Sequence, residues 1–228
     1  MRIVFFGDSL TAGTYGANFV DKVAAALPDH EIINAGVNGD TSLNLRDRLA
    51  SDVLAHQPDA VFILVGINDA TAYSEPGTRP YYRLGKHVPE GILTPDDYRE
   101  NMRTMLTQLA AAGIRRVWVG LSPVEVRPVL VAAVQQFNTE LAALCRELDV
   151  PALDMFTPLV PEAVPERPSM GIGHFRKVAE TKLTGSPYDR LRDTGGYTYT
   201  FDGIHLTEGG AARFADLILA FLREQGAL

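Results

Sequence analysis

Four short segments, far apart in the chain, carry the residue types that acyl-transfer chemistry needs. Gly7-Asp8-Ser9-Leu10-Thr11-Ala12-Gly13 offers a hydroxyl among glycines, and Asp202-Gly203-Ile204-His205-Leu206 offers a carboxylate and an imidazole. Residues 34–42 contain Gly39, and Gly66-Ile67-Asn68-Asp69 contains a side-chain amide. A serine hydroxyl is a poor nucleophile until an adjacent base accepts its proton. His205 has the ordinary pKa range for that work near neutral pH. Asp202 lies three residues earlier, and in a non-helical turn its carboxylate can reach the imidazole Nδ1–H and fix the tautomer. The oxyanion of a tetrahedral intermediate needs preorganised donors, and three are available: the Ser9 N–H, the Gly39 N–H and the Asn68 amide. Together these groups suit the cleavage of an ester.

The elements that must position them are legible as alternating patterns. Short apolar runs at residues 3–6, 31–34, 60–65, 116–119 and 151–154 read as strands. Between them apolar residues recur at helical spacing, and the last set, Phe214, Leu217, Ile218, Phe221 and Leu222, occupies one face of a helix. Strand–helix alternation predicts an α/β fold, a three-layer α/β/α sandwich around a five-stranded parallel sheet. A doubly wound, flavodoxin-like strand order 2-1-3-4-5 is expected. In such a sheet ligands bind beyond the carboxyl ends of the strands, and the first three segments with chemistry follow strands one, two and three. The fourth directly precedes the last helix.

Composition narrows the alternatives. The 228 residues carry 21 Lys+Arg against 28 Asp+Glu, a formal charge of −7, which argues against a nucleic-acid partner. The single cysteine, Cys145, cannot form an intramolecular disulfide and falls on the apolar stripe of its helix. No window approaches the ~20 apolar residues of a membrane span. The apolar run after Met1-Arg2 is too short for an export signal, so a cytoplasmic location is expected. No metal-ligand spacing, dinucleotide fingerprint or phosphate loop is present, and neither a metal nor an organic cofactor is expected.

At these residues the chain resembles the SGNH, or GDSL, hydrolases, a superfamily of esterases and lipases. Gly7-Asp8-Ser9-Leu10, Gly39, Gly66-x-Asn68-Asp69 and Asp202-x-x-His205 match its four signature blocks in order. The resemblance implies Ser9 as nucleophile, His205 as base and Asp202 as orienting acid. It also implies an oxyanion hole of Ser9, Gly39 and Asn68, and a five-stranded parallel sheet. Lysophospholipase, thioesterase or acyltransferase activity would use the same groups. A catalytically silent ligand-binding domain would retain the blocks and cover the serine.

Two stretches, 71–95 and 157–200, lack steady periodicity and are rich in turn formers. They read as two long insertions in a single domain spanning 1–228, packed because they are rich in tyrosine. Arg79, Tyr81, Tyr82, Arg83, Lys86 and His87 form a basic-aromatic run in the first. Phe175, Arg176, Lys177, Tyr188, Arg190 and Arg192 form a looser one in the second. Asp8, Tyr15, Tyr81, Tyr82 and Arg83 are the candidate substrate contacts. A small-molecule ester with a short acyl group on a polar or carbohydrate-like alcohol is the expected substrate.

Overall fold

In the computed structural model, which describes residues 1–184 and 187–228, five parallel strands form one sheet. They are β1 (Arg2–Gly7), β2 (Glu31–Gly36), β3 (Ala60–Leu64), β4 (Arg116–Leu121) and β5 (Ala152–Asp154), in the expected order β2-β1-β3-β4-β5. Ile3, Val4, Phe5 and Phe6 of β1, like Ala60, Val61, Phe62 and Ile63 of β3, are wholly inaccessible to solvent. Central parallel strands are covered on both faces, so their sequences run apolar without alternation.

The helices that open and follow the first four strands are α1 (Ser9–Ala12), α2 (Phe19–Ala26), α3 (Ser42–Asp52), α4 (Ile67–Ser74), α5 (Arg79–Gly85), α6 (Pro95–Ala111) and α7 (Pro128–Glu147). Beyond β5 come α8 (Phe156–Leu159), α9 (Ile172–Thr184), α10 (Tyr188–Gly195) and α11 (Glu208–Glu224). The chain moves from β1 outward to β2 and then back across to β3, so right-handed crossovers put α2 and α3 on opposite faces. α11 packs on α2, while α3 packs on α6 and α6 on α7. Trp118 and Cys145 are buried in the core between these layers, Cys145 on the apolar stripe where its helix pattern puts it. Among the described residues no helix is long and apolar enough to cross a membrane.

The two aperiodic stretches are not irregular loops. The first holds the end of α4, two 3-10 turns at Pro76–Thr78 and Pro89–Gly91, and α5; the second holds most of α8 together with α9 and α10. α5, α8 and α10 are too short to show a repeating apolar stripe, which hid them. Their prolines also look like breakers, yet Pro76, Pro80 and Pro89 sit in first turns and Pro187 caps α10. Proline is well placed at the start of a helix because the missing N–H has no partner there. Gly185 and Ser186 of the second stretch lie outside the described residues, as does the Lys177 side chain. A small cluster of Ala72, Tyr82, Val88 and Leu93, with Tyr81 and Phe175 packed on it, joins the two stretches into one roof.

Candidate active site

Ser9 is the first residue of α1, separated from the last residue of β1, Gly7, only by Asp8. A Cβ at Gly7 would collide with Thr11 and the Leu64 carbonyl, so only glycine lets the chain turn that tightly. Asp8 caps α1, its Oδ1 accepting the Leu10 N–H at 3.0 Å. The Ser9 N–H lies in the first turn, where helical N–H groups have no intrahelical acceptor.

The imidazole arrives on the loop before α11. His205 Nε2 stands 3.0 Å from Ser9 Oγ, and His205 Nδ1 stands 2.7 Å from Asp202 Oδ2. The other Asp202 oxygen accepts the backbone N–H groups of Ile204 at 2.9 Å and His205 at 2.7 Å. This places both carboxylate oxygens in a fixed turn that crosses Gly203 at φ +95°. The Phe201 ring stacks on the imidazole and the Tyr15 ring meets it edge-on.

Charge follows this geometry. Burial alone would push Asp202 up, but the His205 charge and hydrogen bond, then the His174 charge, bring its carboxyl down to about 2. For His205 burial disfavours the imidazolium, and Asp202 followed by Asp8 outweighs it, raising the imidazole above its ordinary value. Asp8 is pushed up to about 7, chiefly by burial.

Two donors converge from β2 and β3. Gly39 adopts φ +75°, and a Cβ there would collide with Tyr81 Oη, so the backbone comes directly under that ring. Asn68, in the first turn of α4, gives one amide hydrogen to the Asp40 carbonyl at 3.0 Å. Its amide nitrogen also stands 3.4 Å from Asp8 Oδ2, a long contact at the edge of hydrogen-bonding distance. The orientation of the amide is set by Tyr82, whose buried O–H donates to Asn68 Oδ1 at 2.8 Å.

Ser9, Gly39, Asn68 and His205 line a cavity of about 460 Å³ whose walls include Tyr15, Tyr81 and Phe175. A second cavity of about 550 Å³ adjoins it across His174 and Val178 and is lined by Tyr197, Phe201 and Asp202. Ser9, Gly39 and Asn68 line only the first.

Of the residues expected to touch substrate, Tyr15 and Tyr81 line the cavity. Asp8 and Tyr82 do not: both are buried beneath its wall, where they hold α1 and Asn68. Arg83 is exposed on α5 and does not line the cavity. Two cations of the basic run turn inward: Arg79 donates to the Ala72 and Tyr73 carbonyls, and Lys86 pairs with Asp40 at 2.7 Å, while Arg83 and His87 are exposed.

The supporting roles of several residues escaped the sequence reading. Arg48 joins Lys86 on Asp40 and donates to the Gly7 carbonyl, tying the Gly39 loop to the end of β1. Asp69 accepts the Ser42 N–H and hydroxyl, and burial pushes its carboxyl up to about 6. Phe175 stacks on Tyr81 with ring centroids 4.3 Å apart.

Fold and site together define an SGNH-type α/β/α hydrolase scaffold with a Ser–His–Asp array at its strand ends. The chain belongs to the GDSL-like Lipase/Acylhydrolase family, whose model matches residues 5–213. It is 29% identical over 126 residues to an acetylxylan esterase of Geobacillus stearothermophilus, covering 47% of this chain and 53% of that one. It is 27% identical over 131 residues to the uncharacterized lipoprotein YqeF of Bacillus subtilis, covering 54% and 49%. The chain thus spans about half the length of the curated relatives it matches. A lipase/acylhydrolase from Enterococcus faecalis has the same fold, with a TM-score of 0.65 and 21% identity over 98% of this chain and 96% of that one.

Proposed function

We propose that this chain is a serine esterase that hydrolyses carboxylic esters through an acyl-enzyme. The observation that carries the reading is the linear Ser9–His205–Asp202 array, with separations of 3.0 and 2.7 Å at the wall of a cavity. Ser9 Oγ attacks the ester carbonyl while His205 Nε2 takes its proton, and Asp202 stabilises the imidazolium that results. The developing oxyanion is held by the Ser9 and Gly39 N–H groups and the Asn68 amide. His205 then hands the proton to the leaving alcohol as the C–O bond breaks. A water molecule, deprotonated by the same imidazole, attacks the acyl-serine, and its collapse returns the proton to Ser9. Ester, water and these side chains balance every step.

The substrate is a short acyl ester of a polar or carbohydrate-like alcohol. Tyr81 closes directly over Gly39 and is backed by Phe175, which limits the room beside the oxyanion site. Asn38, His174 and Arg176 give the cavity polar edges suited to a hydroxylated alcohol. The name of the acetylxylan esterase relative points the same way. Residues 1–228 act as one hydrolase domain in this reading, with the two helical stretches as its roof.

Fluorophosphonate labelling read by intact mass, with p-nitrophenyl esters of increasing acyl length, tests the proposal. One adduct on wild type, none on Ser9→Ala, and turnover that falls beyond about four acyl carbons are the expected results. An unlabelled wild type that turns over no ester defeats the esterase reading. Turnover that rises toward long acyl chains defeats the short-acyl assignment.

A further inference from the structure

The segment after β4, Ser122-Pro-Val-Glu-Val-Arg127, is not among the motif blocks, yet it underlies the loop that carries Asp202 and His205. Glu125 is buried, with 2% of its surface exposed. Its carboxylate faces residues 198–200 and takes up nearly every donor there. Oε1 accepts the N–H groups of Tyr199 at 3.0 Å and Thr200 at 2.9 Å, and the Thr200 hydroxyl at 2.6 Å. Oε2 accepts the Thr198 N–H at 2.8 Å and its hydroxyl at 2.6 Å. Three consecutive backbone N–H groups aimed at one carboxylate make a nest for a negative charge.

The contacts continue into the reacting groups. Thr200 Oγ1, held by Glu125, in turn accepts the Gly203 N–H at 3.0 Å. The Glu125 N–H donates to the Gly203 carbonyl at 3.0 Å, so glycine 203 is gripped on both sides. A Cβ at Gly203 would press on Val126, which shows how closely the two segments lie. Residues 199 and 201 bond back to 207 and 205, closing a hairpin whose tip holds Asp202. Arg167 fastens the other side, donating to the carbonyls of Glu125 and Val126 and to those of Gly195 and Gly196.

We infer that Glu125 is a positioning residue for the catalytic pair, a buried anion that shapes the 198–207 hairpin and thereby sets the approach of His205 to Ser9. This rests on the serine-esterase reading of the site. The backbone N–H groups of 198, 199 and 200 face an acid from another element, and at Tyr199 and Thr200 water is shut out. Displacing a general base by about 1 Å typically costs on the order of a hundredfold in rate. Most of the cavity wall, with Gly39, Tyr81 and Phe175, belongs to other elements, and the hairpin contributes only Ile204 and His205 to it.

Glu125→Gln tests this, because it keeps the shape but turns an amide donor toward donors that need an acceptor. Thr198→Val, which removes one hydroxyl bond at an exposed position, is the milder companion should the first variant fail to fold. kcat, KM and fluorophosphonate labelling rate are measured per active site, alongside thermal melting. Glu125→Gln should lower kcat and labelling rate together by about ten- to a hundredfold, with KM within about twofold. Thr198→Val should move both the same way by a few fold. If the variants melt earlier yet retain wild-type kcat and labelling per folded site, Glu125 serves stability alone and the inference is overturned. A wild type that takes no label instead removes the esterase reading, and this inference with it.

Discussion

Tyr82→Phe isolates the least obvious part of the oxyanion site, because it touches no substrate and deletes one oxygen atom. Burial pushes the Tyr82 phenol well above its ordinary range, so it is a donor at any working pH. Its hydrogen bond to Asn68 Oδ1, 2.8 Å long and inaccessible to solvent, fixes which end of the amide faces the cavity. Removing the hydroxyl leaves Oδ1 buried without its donor, a loss of about 1–3 kcal/mol of stability. The Asp40 carbonyl still holds Nδ2 at 3.0 Å, so the amide is loosened and not reversed. Losing one restraint worth about 1 kcal/mol on a group that acts in the transition state predicts kcat about fivefold lower. Asn68→Ala, which deletes the donor itself, should cost about 10²–10³. The assay is steady-state hydrolysis of p-nitrophenyl acetate per labelled site, with urea unfolding in parallel, on both single variants and the double variant. Because Tyr82 acts through Asn68, it should have almost no further effect on kcat in the Asn68→Ala background. An undiminished Tyr82→Phe effect in that background would refute the reasoning, as would an Asn68→Ala enzyme within threefold of wild type.

The pH dependence follows from His205: the base must be neutral, and its pKa is raised, so kcat/KM should climb with pH through a midpoint above 6.5. Asp202→Asn should lower that midpoint and cut kcat by about 10⁴, and a midpoint below 6 in wild type would contradict the electrostatics. Tyr81→Ala should open the wall over Gly39, raising the ratio of hexanoate to acetate ester hydrolysis at least about tenfold in kcat/KM; an unchanged ratio removes Tyr81 as the limit on acyl length. Asp8 has a folded pKa of about 7 against 3.8, so its contribution to stability is complete below pH 3.8 and is lost as pH rises through 7. Unfolding free energy measured from pH 4 to 8 should therefore fall less steeply in Asp8→Asn than in wild type, and parallel curves would place the titration elsewhere.

What could be read from the chain depended on whether a residue's role is local. β1 and β3 announced themselves because central parallel strands need unbroken apolar runs, and Ser9, Asn68 and Asp202-x-x-His205 because they sit at element boundaries beside glycine. α5 and α10 stayed hidden because they span seven and eight residues, too few for a periodicity to emerge. The basic-aromatic run read as a source of substrate contacts, yet the cations of Arg79 and Lys86 turn inward to carbonyls and to Asp40. Glu125 escaped for a related reason: its partners lie 73 to 75 residues away, and a lone acid after a strand has no local signature.

The buried acids around Ser9 show why those distant partners matter for chemistry. Asp40 meets two cations, Arg48 and Lys86, and Asp202 meets an imidazole and two backbone N–H groups. Among the described residues no ion pair reaches Asp8 or Asp69, and burial dominates both, lifting them to about 7 and 6. A charged Asp8 beside Ser9 would oppose the oxyanion that forms there, since like charges in a poorly solvated site repel strongly. It would also raise the imidazole of His205, holding the base in its protonated form. Desolvation weakens both effects by keeping the Asp8 carboxyl largely protonated until pH approaches 7, whereas Asp202 stays ionised down to about 2. Two aspartates of equal intrinsic acidity thus take opposite parts, and the difference comes from the donors each turn presents to its carboxylate.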